Sequence, residues 1–426
     1  MKSKAVQVGA GGKKGGGASR FMGPYHATDI VDFASNCKYA FKLTKVEGIP
    51  ISHQHAKALL GTALHYVLEA LHCNAIPHGW DDLTDGGNAG DFLHFVWEKM
   101  VKGGDPRYPD RADLPIHWGR VVEVPGSSRG LTRAEFEQKW LPKATEMIIG
   151  YAMQPWNHER KGIVETKHVE VGYELLITPH KKTKRDAYRI VGRWDIVRAH
   201  YSMDTIPRSL WDYERHYPGT IQELERRLKA NGVLLEMADW KSGKDRPVYA
   251  SQANPFVAFK REYQPRIYSL GMRDGRIGEL TRVVDEDNKL IGEELLNPVS
   301  IGTMPDFYSW HWLPGYAVRD KSIRDPKYKG QRFGKANPAP GDLYIKKAGE
   351  RLEMDPRYAV MITEEDMEMT RRDVIRVIGS IRLNQYYRSP GKFTCTMCKV
   401  ERECSQDLET PLVDTKMMTA AVEDME

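Results

Sequence analysis

Two short segments carry side chains suited to phosphoryl chemistry. "VGRWD" ends at Asp195, and "MADWKSG" holds Asp239 and Lys241. Residues two apart on a strand project from the same face, so Asp239 and Lys241 emerge together. With Asp195 on a neighbouring strand, two carboxylates and an ammonium share one patch. Carboxylate oxygens hold a hard cation such as Mg²⁺ or Mn²⁺, which activates water and neutralises charge on a phosphoryl group. A nearby lysine positions or deprotonates the attacking water. The plainer reading of Asp-Trp-Lys is a surface ion pair beside a turn.

Other residues fit the same chemistry. His65 lies in "GTALHYVLEALH", one turn after Gly61 and beside Leu64 and Leu68. It is either a satisfied core histidine or a third metal ligand. In "REYQPRIYSLGM", Gln264 and Tyr268 are one helical turn apart and share a face. Such a pair can grip a phosphate or a base edge. The segment "FTCTMCKVEREC" holds Cys395, Cys398 and Cys404, three of five cysteines. Thiols this close hold a metal or pair as disulfides. In a reducing compartment the metal reading wins, and both zinc and an iron–sulfur cluster accept such ligands.

The elements that must position these residues are legible in part. "TDIVDFASNCKYAFKL" has helical spacing with Thr28 as a candidate N-cap. "SHQHAKALLGTALHYVLEALH" predicts an amphipathic helix with Leu60, Leu64, Val67, Leu68 and Leu71 on one face. "AGDFLHFVWEKMV" and "TRAEFEQKWLPKATEMIIGYAMQ" read as further helices, with irregular chain over 103–130. "VETKHVEVGYELLI", "AYRIVGRWDIVRAHY" and "VLLEMADWKSG" read as strands. "TIQELERRLKANG" is a surface helix that stops at Gly232. Pro265 is tolerable only in the first turn of the Gln264 helix. "TEEDMEMTRRDVIRVIGSIRLNQYY" is a long helix capped by Thr363.

Composition is that of a globular chain: 426 residues, 41% hydrophobic, 28% charged. The net charge of +5 is too weak alone to argue for a polyanion partner. No apolar run is long enough to span a bilayer, and the N-terminus, rich in Gly and Lys, does not read as a secretory signal. A cytoplasmic location is the expectation. Basic residues cluster in "HKKTKRDAYRI", "ERRLK" and "RDKSIRDPKYKGQRFGK", either as solvated loops or as a groove along a phosphate backbone. The aromatics of "FYSWHW" either pack in the core or stack unpaired bases.

Taken in order, Cys37, His65, Asp195, Asp239-Trp240-Lys241, Gln264 with Tyr268, and Cys395, Cys398, Cys404 resemble the PD-(D/E)XK nuclease superfamily. Within it they resemble the RecB-like and AddB-like iron–sulfur exonucleases, including CRISPR-associated and phage-borne versions. The resemblance implies an α/β fold with a restriction-endonuclease-like core, in which helices flank a central mixed β-sheet. It implies that His65, Asp195, Asp239 and the carbonyl of Trp240 hold Mg²⁺ or Mn²⁺. Asp195, Asp239, Lys241, Gln264 and Tyr268 match its catalytic motifs. Cys37, Cys395, Cys398 and Cys404 match the ligands of a [4Fe–4S] cluster that joins the N- and C-terminal segments. Cys73 matches nothing and reads as a buried thiol.

The resemblance also implies a DNA exonuclease acting 5′→3′ on single-stranded ends, in a bacterium or a phage-infected cell, with recombination or replication proteins as partners. The competing readings are a non-catalytic DNA-binding or assembly protein of the same fold, and a zinc-stapled protein of unrelated function. The expected organisation is a flexible tail over 1–24, one nuclease domain over 25–410 and a tail over 411–426. Helical insertions are expected at about 75–160, 200–232 and 275–350. The sequence departs from the pattern by long insertions between Asp195 and Asp239 and between Tyr268 and the last helix.

The cysteine assignment has a direct check. The protein purified without oxygen should be brown and hold iron and acid-labile sulfide. A colourless preparation carrying zinc contradicts the iron–sulfur expectation.

Overall fold

The computed structural model describes residues 23–386, apart from 36, 48–52, 77–85, 106–112, 125–126, 153, 155–156, 180–186, 243–255, 257–258, 261, 285–289 and 314–356. The strands in chain order are β1 (Tyr25–His26), β2 (Gln54–His55), β3 (Ile116–His117), β4 (Arg120–Val124), β5 (Ser127–Gly130) and β6 (Val164–Ile177). They continue with β7 (Tyr188–His200), β8 (Leu234–Lys241), β9 (Arg276–Val284), β10 (Leu290–Val299), β11 (Phe307–Trp312) and β12 (Arg357–Val360). The helices are α1 (Ala27–Ser35), α2 (Lys38–Phe41), α3 (Ala56–His72), α4 (Gly86–Gly103) and α5 (Arg133–Ala152). After them come α6 (Ser209–Glu214), α7 (Thr220–Asn231), α8 (Tyr263–Asp274) and α9 (Glu364–Arg382).

The molecule is α/β. Its central sheet runs β10-β9-β6-β7-β8-β11-β12, with β1 added beside β7. β8 pairs with β11 in parallel and β1 with β7 in parallel; the other neighbours are antiparallel. It is therefore a mixed sheet flanked by helices, consistent with a restriction-endonuclease-like fold. Residues 276–284, 290–299 and 307–312, inside a stretch expected to be a helical insertion, form strands instead. β9 and β10 extend the sheet because Gly172 and Gly278 let backbones approach closely. A Cβ on Gly172 would sit 2.5 Å from the Leu280 Cβ, and one on Gly278 would sit 2.3 Å from the Leu296 carbonyl. Likewise β3, β4 and β5 occupy part of the chain expected to be irregular.

Two cores sandwich the sheet. The larger joins α1, α8 and α9 to Trp194, Val197, Met237 and Tyr308. The smaller joins α3, α4 and α5 to Ile196, Ala238 and Trp240. β8 is buried on both faces, which explains why "LLEMADWK" reads as a nearly continuous apolar run. On α3 the face predicted from spacing is the buried one: Leu60, Leu64, Val67, Leu68 and Leu71. Each such side chain contributes about 1.5–3 kcal/mol by leaving water. Helix α9 starts with a capping box: the Asp366 amide donates to the Thr363 hydroxyl at 3.3 Å, and the Thr363 amide donates to the Asp366 carboxylate at 2.8 Å. Helix α7 ends on Gly232, whose φ of 72° is open to glycine at little cost.

A charged network lies inside the sheet. Glu236 is fully buried and accepts from His200 Nε2 at 2.8 Å and His311 Nε2 at 2.9 Å. Ser309 also donates to it, and the Arg198 guanidinium lies at 3.8 Å. These partners hold Glu236 well below the usual carboxylate range against the opposing effect of burial. Burial pushes the His200 imidazole down to about 4. Removing one member leaves the rest desolvated and unpaired, at a cost of about 3–5 kcal/mol. Urea unfolding of Glu236→Ala should show a loss of that size; a change below about 1 kcal/mol contradicts this account.

Candidate active site

The site forms where two strands change the core they bury. On β6, Val169 packs toward the smaller core and Val171 toward the larger. On β7, Ile196 belongs to the smaller core and Trp194 to the larger. The pairs Val169 with Ile196 and Val171 with Trp194 set Glu170 opposite Asp195 at that level. Glu170 has a φ of 46°. This left-handed backbone costs a non-glycine residue about 1–2 kcal/mol. One step beyond the Ile196–Ala238 pair, the same kind of register sets Asp195 opposite Asp239 on β8. Three neighbouring strands thus bring one carboxylate each to one level.

Helix α3 supplies the histidine. Its apolar face seats it on Trp240, whose ring meets His65 edge-on at 5.5 Å and stacks with His72 at 5.9 Å. Tyr151 locks that arrangement, accepting from the Trp240 indole at 3.2 Å and bonding His72 Nε2 at 2.8 Å. Nδ1 of His65 is then 3.2 Å from Glu170 Oε1 and 3.6 Å from Asp195 Oδ1. Ligand atoms of His65, Glu170 and Asp195 all lie within 4.8 Å of one another. One imidazole nitrogen and two carboxylate oxygens suit a divalent cation.

Glu170 was not anticipated. Its segment, "VETKHVEVGYELLI", reads only as a strand; the available signal was an acid amid apolar residues close before "VGRWD". Asp239, expected among the ligands, is not in the converging set. It is 1% exposed, and its Oδ2 accepts from Lys241 Nζ at 2.9 Å and from the Tyr308 hydroxyl. Besides its ring contact with His65, Trp240 donates its amide to Asp195 Oδ2 at 2.8 Å. Gln264 Nε2 donates to the Tyr268 hydroxyl at 3.2 Å. Tyr268 is pushed well above the ordinary phenol range, first by burial and then by Asp239.

A cavity of about 220 Å³ opens on these groups, lined by His65, Glu170, Asp195 and Tyr268 with Arg193 and Arg282. Arg193 donates to the carbonyls of Leu280 at 2.6 Å and Glu170 at 3.4 Å, which steadies the strained residue. In "FYSWHW", Phe307, Tyr308 and Trp310 are not a stacking surface: they are buried in the larger core. Cys73, expected buried, is exposed where α3 ends, because the chain leaves the core there. Cys37 is partly buried against Tyr39 and Leu43. Cys395, Cys398, Cys404 and the basic stretch of 319–335 lie outside the described residues.

Residues 30–213 match the family model of the PD-(D/E)XK nuclease superfamily, a match that points to a nuclease. The matched stretch is under half of the chain; it contains His65, Glu170 and Asp195 and stops before Asp239 and Lys241. No curated protein matches the chain. Among the described residues no helix is long and apolar enough to cross a membrane.

The carboxylates make a prediction about pH. The Asp195 carboxyl is pushed up to about 7, chiefly by burial, with His65 opposing and Asp239 and Glu170 adding to the rise. The folded chain therefore binds this proton more tightly than the unfolded chain, and stability from this group is lost as pH rises from the ordinary Asp range to about 7. A cation needs the ionised form. Mn²⁺ should raise the unfolding temperature more at about pH 8 than at about pH 5.5. Asp195→Asn should abolish the response and itself stabilise the cation-free protein at the higher pH. Equal Mn²⁺ shifts at both pH values contradict the assignment.

Proposed function

We propose that this chain is a cation-dependent deoxyribonuclease that hydrolyses DNA phosphodiester bonds. The observation that carries the reading is the convergence of His65, Glu170 and Asp195 beside the Asp239–Lys241 pair. His65, Glu170 and Asp195 would hold Mg²⁺ or Mn²⁺, with Asp239 and the Trp240 carbonyl completing the set on a small shift. When bound, the cation supplies a more acidic water and charge neutralisation at the phosphoryl group.

The residues of the chain do the rest. Lys241, 27% exposed and anchored to Asp239 at 2.9 Å, orients the attacking water. The Tyr308 hydroxyl donates to the same carboxylate oxygen of Asp239 and fixes it further. Arg193 and Arg282 offer guanidinium groups to the substrate phosphates from the cavity wall. Tyr268, held by Gln264, lines the same cavity and gives a phosphate or base a hydroxyl to bind.

Exonuclease action on single-stranded ends, with 5′→3′ polarity, follows the resemblance and belongs to this proposal. So does a [4Fe–4S] cluster on Cys37, Cys395, Cys398 and Cys404. Its support is proximity: Phe33, four residues before Cys37, packs edge-on against Tyr386, nine residues before Cys395. Arg382 also donates to the Tyr25 hydroxyl at 3.3 Å. The described residues that precede each cysteine group in sequence are therefore in contact.

Digestion of end-labelled single- and double-stranded DNA tests the reading. With Mn²⁺ the parent chain should degrade DNA, and Lys241→Ala should be slower by about 10²–10⁴-fold with its fold unchanged. No digestion by the parent, or equal rates in both, favours the binding-module reading.

A further inference from the structure

Three histidines unused by this chemistry gather at the small β2–β3 sheet. β2 and β3 pair in parallel, with His55 directly beside His117. His53 stands two residues before His55, and its ring packs against those of both His55 and His117. The ring centroids are 4.7 Å apart for His53 and His55, 5.3 Å for His53 and His117, and 5.5 Å for His55 and His117.

These spacings have a physical meaning. An imidazole nitrogen binds a zinc-like ion at about 2.0–2.1 Å, which puts each ring centroid about 3.2 Å from the ion. At tetrahedral angles, three such rings have centroids about 5.2 Å apart. The observed distances bracket that value. In addition, His117 Nδ1 is buried and has no hydrogen-bond partner among the described residues. Burying such a group unmatched costs about 1–3 kcal/mol, which a bound ion would recover.

We propose that His53, His55 and His117 form a second cation site, for an imidazole-preferring ion of the zinc class. The ring nitrogens of the three do not all lie within 4.8 Å of one another. Capture therefore turns at least one ring about χ2, a broad and soft torsion. The donor set separates this site from the first one. Three nitrogens favour Zn²⁺, whereas an oxygen-rich set accepts Mg²⁺ or Mn²⁺. Water fills the fourth position of a three-histidine site. The ion would tie the chain before α3 to the chain after α4 and so steady the helix that carries His65. The proposal stands on its own geometry and does not depend on the nuclease reading.

The test uses the full chain, stripped with a chelator and titrated with Zn²⁺ and with Co²⁺. Asp195→Ala serves as the background, since it disables the other cation site. One Zn²⁺ per chain should bind there, and Co²⁺ should give visible bands without the near-ultraviolet thiolate charge transfer that cysteine ligands produce. In His117→Ala the Kd for Zn²⁺ should rise more than about 100-fold, beyond what loss of a supporting residue causes. Should His117→Ala fail to fold, His53→Gln, outside any core cluster, is read in its place and should show the same loss. Undiminished Zn²⁺ binding in a folded variant, or cobalt spectra carrying only thiolate charge transfer, overturns the proposal.

Discussion

Two carboxylates face each other across neighbouring strands, and most of the architecture around them answers that constraint. Glu170 and Asp195 share a level of the sheet, with little solvent to screen them. Like charges opposite one another on a sheet are destabilising. Burial makes the ionisation of Asp195 harder still. His65 offsets part of this cost, and the Trp240 amide offsets another part. What remains is a site primed for positive charge.

The two cores make that arrangement rigid. The seam between them is where β6 and β7 change the side they bury, and the carboxylates sit on the seam rather than inside either core. From the smaller core, Trp240, His72 and Tyr151 form a polar string that sets the height of α3. From the larger core, Tyr308 holds Asp239, while Tyr173 stacks on Trp194 at 5.2 Å. The Gly192 of "VGRWD" belongs to the same packing. A Cβ there would lie 2.7 Å from the Tyr173 ring, so the glycine admits the ring beside Asp195. A displacement of either core would therefore reach the carboxylates through side chains in contact.

Much of this was legible before any folding was considered. The period of α3, the capping box of α9, the Gly232 stop and the strands bearing Asp195 and Asp239 are local patterns. Propensity and amphipathicity act over a few residues, so such patterns survive in a linear reading. The chemical types of His65, Asp195, Asp239 and Lys241 were legible for the same reason. Less was legible in the hairpin of β9 and β10. Its strands depend on close backbone contact with β6 through Gly172 and Gly278, which lie far apart in the chain.

By itself the sequence determined which side chains could carry charge or bind a cation, and which helices and strands would carry most of them. The tertiary structure alone decided which of them meet. It placed Glu170 beside His65 and Asp195, turned Asp239 toward Lys241 and Tyr308, and sent Phe307, Tyr308 and Trp310 of β11 into the core. The reason is that cross-strand register and burial are long-range quantities. A carboxylate acquires its partner and its proton affinity from residues that only folding brings beside it.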